Sequence, residues 1–118
     1  MSINTLIDKI KTRPDELEFE DVIQVIESHY HYFPTTFTNG MGATMVHNAA
    51  GTNEGSCKIF AFALQNKLNK SETLACFGKY YRDDVLQHPD NTDHANIRNF
   101  MQYGWNGIKF EEEALSRK

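Results

Sequence analysis

The sequence predicts a mainly α fold: about five helices packed around a central apolar helix (57–68), with at most a small two-stranded sheet (near 44–46 and 107–110). Three observations predict it. Apolar residues recur at spacings of three and four along most of the chain, the period of amphipathic helices. The stretch from Cys57 to Leu68 is apolar nearly all round, as suits a helix enclosed by others. Only "TMV" (Thr44 to Val46) and "WNGIKF" (Trp105 to Phe110) read as extended.

The elements follow in order. Ser2 to Thr12 predicts a helix with Ile3, Leu6, Ile7 and Ile10 on one stripe, and Ser2 is a suitable cap. Phe19 to Tyr32 predicts a second, in which Val22, Val25, Ile26, His29 and Phe33 share a face. Glu20 and Asp21 in its first turn complement the helix dipole. From Phe33 to Ser56 the chain has Pro34, four glycines and little periodicity. A loop of that length is uncommon in a small domain and is often functional. Ile59, Phe60, Phe62, Ala63, Leu64 and Leu68 make the central helix. Ser71 is the expected cap of a helix to about Gln87, lined by Leu74, Phe77, Gly78, Tyr81 and Val85, with Gly78 permitting a close crossing. Pro89 stops it. Thr92 or Asp93 is expected to cap a last helix to about Tyr103, with Ile97, Phe100, Met101 and Gly104 inward. "EEEALSRK" reads as a solvated tail or a frayed helix.

Length and composition bound the function. The 118 residues fit a single domain, 1–118. Hydrophobic residues are 40% and charged residues 24%, the balance of a soluble globule. A net charge of -4 argues against a nucleic-acid partner, which needs a basic surface, and weakly against an anionic membrane. No run approaches the roughly 20 apolar residues of a membrane span. Two cysteines read as thiols of a reducing compartment, so a cytoplasmic protein is expected. A type III secretion signal would escape these rules.

Cys57, ahead of an apolar run, poses the sharpest chemical question. A thiol at a helix start is activated by the dipole, and cysteine hydrolases pair one with a histidine. Here His47 or His94 would be the base. Yet the helical wheel turns Cys57 toward Phe60, Leu64 and Leu68, so a small buried side chain is the better reading. His29 and His31 point to opposite sides of a helix, and no CxxC, HxxxH or ExxH occurs. No metal and no cofactor is therefore expected. A denser polar signal lies elsewhere. Asn39, Asn53 and Glu54 on the long loop and His94, Arg98 and Trp105 on one side of the last helix could frame a ligand site. The alternative is a buried ion-pair network, Arg82 or Arg98 with Asp83, Asp84 or Asp93, tying the helices together.

Three blocks, "NAAGTNEGSCKIFAFALQNKL", "TLACFGKYYRDDVLQHP" and "DHANIRNFMQYGWNGIKF", closely resemble the HopJ type III effector protein family in order and spacing. The resemblance runs from about Asp8 to Lys118. It implies a small bacterial protein of unknown biochemical activity, classed as a type III effector and open to secretion by that route. It assigns no catalytic residues. Similar proteins in bacteria that do not infect plants, and in photosynthetic eukaryotes, suit a housekeeping role. The expected function is therefore a module that binds an unknown small molecule or protein. The alternative is a thiol enzyme using Cys57 with His47 or His94, and a third reading gives the polar residues to the fold alone.

Overall fold

The first and last thirds of the chain pair in two small sheets. The computed structural model describes residues 1–118, in which five α-helices and one π-helix frame two small sheets. Helix α1 (Ile3–Thr12) starts where Ser2 Oγ accepts from the Thr5 amide at 3.0 Å, and it buries Ile3, Leu6 and Ile10. After a turn at Pro14–Glu16, α2 (Phe19–His29) buries Val22, Val25 and Ile26. It stops earlier than its periodicity predicts. Tyr30–Tyr32 is extended and forms β1. Phe33 precedes Pro34, whose ring disfavours the helical region for the residue before it, and the aromatic pair suits a strand.

The sheets correct the expected architecture. A single two-stranded pairing of 44–46 with 107–110 does not form. Instead β2 (Phe37–Asn39) lies between β3 (Val46–Asn48) and β4 (Ile108–Phe110), antiparallel to both. Gly42–Thr44 is a 3₁₀ turn, so the strand begins only at Val46. A second sheet pairs β1 with β5 (Leu115–Arg117), placing Tyr30 opposite Arg117. The predicted loose tail is thus a strand, because Ala114 and Leu115 are core residues. Three-residue strands are too short to show an alternating pattern, which explains why they escaped a periodicity reading.

The central helix is where the sequence places it, shifted toward the N-terminus. It is α3 (Glu54–Gln65), and it buries Cys57, Ile59, Phe60, Ala61, Phe62 and Ala63. Asn66 ends it by donating to the Phe62 carbonyl at 2.8 Å, and Lys67 turns left-handed at φ 57°. Leu64 faces out, 53% exposed, rather than inward. Phe60 is the aromatic hub, with ring centroids of Phe37, Phe77, Phe100 and Trp105 between 5.0 and 6.3 Å away.

The predicted helix from Ser71 to Gln87 is broken in two. Helix α4 (Lys70–Ala75) is capped by Asn69, not Ser71, through a reciprocal box with Glu72. Gly78 then adopts φ 59°, and a π-helix spans Tyr80–Val85. Gly78 does allow a close approach, but as a chain reversal: a Cβ there would lie 2.7 Å from the Phe19 nitrogen. Helix α5 (Ala95–Tyr103) begins after a left-handed His94, one residue beyond the expected caps. Gly104 at φ 61° ends it and starts the 3₁₀ turn Gly104–Gly107.

Candidate functional site

Five asparagines lock the three-stranded sheet to the starts of α3 and α5. Asn96, in the first turn of α5, is the hub. Its Nδ2 donates to Asn48 Oδ1 at 2.9 Å, and its Oδ1 accepts from Asn48 and Asn39 Nδ2 at 3.1 Å each. Asn39 Nδ2 also donates to the Asn96 carbonyl at 2.7 Å. Asn53, the residue before α3, donates to Asn48 Oδ1 at 2.7 Å. Asn99 Nδ2 donates to the carbonyls of Asn39 and Thr44. Asn39, Asn48 and Asn96 are buried. A buried amide left without its partner costs about 1–3 kcal/mol, so this network fixes the loop geometry strongly.

Beside the network lies a cleft of about 380 Å³. Its aromatic wall is Phe19, Phe77 and Tyr80, and its polar side carries Asn53, Ser56, His94 and Asn96. Local backbone explains the convergence. Asn53 (φ 49°) and His94 (φ 54°) both stand in the left-handed region directly before a helix, and neither side chain caps it. Both chains therefore turn sharply into their helices at the cleft. The residue type helps, since asparagine and histidine tolerate this conformation better than most. The π-helix supplies the third wall. Its wide turn, marked by the Leu86 amide bonding the Tyr81 carbonyl at 3.0 Å, brings Tyr80 and Asp84 to the same histidine. Tyr80 packs on the His94 ring at 5.3 Å, and Asp84 Oδ2 lies 3.0 Å from His94 Nε2.

The structure distributes the six ligand candidates over separate places. Asn53 and His94 line the cleft. Asn39 sits in the buried network, and Glu54 is exposed on the first turn of α3. Arg98 and Trp105 lie elsewhere, which corrects the expected single face with His94. Arg98 donates to Asp93 Oδ1 (2.7 Å), the Asp93 carbonyl (2.6 Å) and the Pro89 carbonyl (3.2 Å), clamping the loop before α5. Trp105 follows the reversal at Gly104 and donates its Nε1 to the Leu68 carbonyl at 3.0 Å, packed on Phe60 and Phe100. His94 is not helical, so extrapolating one helical face from it to Trp105 fails at both ends.

Cys57 is not brought to a histidine. The residue is 1% exposed. Burial pushes its thiol pKa up, against smaller lowering effects from the Tyr32 hydroxyl and the Thr35 backbone. Nucleophilic cysteines need the opposite shift. His47 lies opposite Thr38 on the exposed face of β3, and the hydrogen-bonding partner of His94 is Asp84. Burial likewise raises the Cys76 thiol, to about 12. No three metal-binding side chains cluster. No helix is long and apolar enough to cross a membrane.

The residues missed as site candidates are Ser56, Tyr80, Asp84 and Asn96. The available signal was the recurrence of asparagine at 39, 48 and 53 on the long loop and at 96 and 99 on the last helix. Asparagines spaced that way are candidates for one shared network as much as for separate turns.

Comparison with known proteins agrees with the sequence blocks. No curated protein matches the chain. A solved structure described as "Crystal structure of unknown function protein VPA0580" is similar, with 52% sequence identity and a TM-score of 0.95 over 100% of this chain and 95% of that one. Residues 3–115 match the family model described as HopJ type III effector protein. With nearly its whole length matched, the chain belongs to the HopJ type III effector protein family.

Proposed function

We propose that this protein is a small-molecule binding module whose site is the cleft between the starts of α3 and α5. The observation that carries the reading is the cleft itself: about 380 Å³, an aromatic wall on one side and convergent polar groups on the other. Ligand sites are commonly apolar hollows with a few placed polar groups. The π-helix adds support, because such turns cost regular hydrogen bonding and recur at functional sites. Two non-glycine residues with positive φ at the same cleft point the same way. The family description supports delivery by a type III system as one route to a target.

The experiment is a fragment library screened against the ¹⁵N-labelled protein. Amide shifts are expected to cluster at Gly55, Ser56, Ala95 and Asn96. Hits that move only residues on other faces, such as Leu64 and Ala114, overturn the assignment.

A further inference from the structure

The chemistry of the cleft can be specified at His94, on the premise that the cleft is a binding site. The imidazole is held at one nitrogen only. Its Nε2 faces Asp84 Oδ2 at 3.0 Å and, more loosely, Asp93 Oδ2 at 3.7 Å. An ionised carboxylate is an acceptor, so Nε2 carries the hydrogen in this pair. In the neutral ring the other nitrogen, Nδ1, is then a lone-pair acceptor. Nε2 alone has a hydrogen-bond partner within the protein, and His94 is one of the groups lining the cleft. The ring packs against Tyr80, at 5.3 Å and 42°. Tyr80 in turn meets Phe19 edge to face at 5.1 Å and 76°.

We infer that Nδ1 of His94 accepts a hydrogen bond from the ligand, and that the ligand is a small planar ring bearing an O–H or N–H donor. Three features of the cleft select that class. The Phe19, Phe77 and Tyr80 wall favours a flat apolar body, since aromatic rings gain from stacked and edge-on contacts. The volume admits one or two rings. No lysine or arginine lines the space, and Asp84 lies beside His94, so the lining offers a carboxylate or phosphate no permanently charged partner. A site that offers a buried or half-buried acceptor discriminates against analogues that lack the donor, because the acceptor is left unpaired.

Phenol, anisole and cyclohexanol separate these requirements. Phenol has ring and donor, anisole the ring alone, and cyclohexanol the donor without a planar ring. Each is titrated at pH 8 into the ¹⁵N-labelled protein, with the His94 ring nitrogens and the Ser56 and Asn96 amides as readouts. Phenol is expected to bind about tenfold more tightly than either analogue and to shift the Nδ1 resonance. In His94→Gly, which keeps the left-handed backbone at no steric cost, phenol is expected to lose its advantage over anisole. Equal affinity of phenol and anisole in the unmodified protein overturns the donor inference and leaves the cleft as a binding site. An advantage for phenol that persists in His94→Gly assigns the acceptor to another group and also overturns it. Failure of all three probes to shift any cleft residue overturns the planar-donor inference, while the fragment screen decides the reading it rests on.

Discussion

At the scale of single residues, Arg98 shows how a side chain suited to ligand recognition is consumed by the fold. Its side chain is 17% exposed, and its guanidinium spends its donors on Asp93 and Pro89. The first effect of this contact is on Asp93, whose carboxyl pKa the Arg98 hydrogen bond holds below the usual range. The sign of the pH dependence follows. A folded-state pKa below the unfolded value of about 3.9 gives stabilisation that is complete above that value. It is lost as pH falls through the folded value. Arg98→Ala should therefore lower the urea midpoint at pH 6, and the gap to the unmodified protein should narrow as pH falls below about 3.9. A gap that stays constant down to pH 2.5 would assign the effect to the carbonyl contacts instead. Sequence alone could not decide between clamp and ligand group for this residue. Guanidinium, carboxylate and carbonyl within ten residues is compatible with both, and only the left-handed turn at His94 brings Asp93 back to Arg98.

At the scale of elements, the break at Gly78 does most to build the candidate site. It ends α4, reverses the chain and lets the π-helix carry Tyr80 and Asp84 to His94. The reversal is specific to glycine for two reasons. An L side chain in left-handed geometry costs roughly 1–2 kcal/mol. A Cβ would also stand 2.7 Å from the Phe19 nitrogen and 3.3 Å from the Leu17 carbonyl oxygen, backbone atoms that cannot swing aside. Gly78→Ala is expected to destabilise by more than about 2 kcal/mol, near the upper range for single substitutions. A urea midpoint shift worth under about 0.5 kcal/mol would show that the turn is not under this constraint. Helices α1, α2 and α5 were legible because each buries a stripe with helical spacing, and α3 because it is apolar nearly all round. The break was not, because Leu74, Phe77, Tyr81 and Val85 keep that spacing across it. The periodicity there reflects burial on both sides of a turn, not one continuous helix. The candidate site was legible only in part. Asn53 and His94 announce themselves by residue type, whereas the pairing of His94 with the π-helix depends on a reversal that no local pattern encodes.

At the scale of the whole molecule, the core runs continuously from Ile3 to Leu115, with Phe60 touching rings from four other segments. Phe60→Ala should cost about 3–5 kcal/mol, since the ring is fully buried and its neighbours come from elements that cannot all collapse inward. Equilibrium unfolding in urea measures it, and a cost under about 1 kcal/mol would remove Phe60 from the centre of the fold. The closing sheet has a consequence for how the chain is made. Tyr30–Tyr32 pairs with nothing until Leu115–Arg117 arrives. A ribosome adding about 5–20 residues per second leaves the Tyr30 edge waiting for roughly 4–17 s. Small domains released from denaturant complete folding far faster than that. During synthesis, then, the rate of elongation and not the intrinsic folding rate sets how long an aromatic strand edge stands open. The nascent chain passes through an interval in which that edge is available to chaperones and to other nascent chains, an interval that refolding in a test tube does not reproduce.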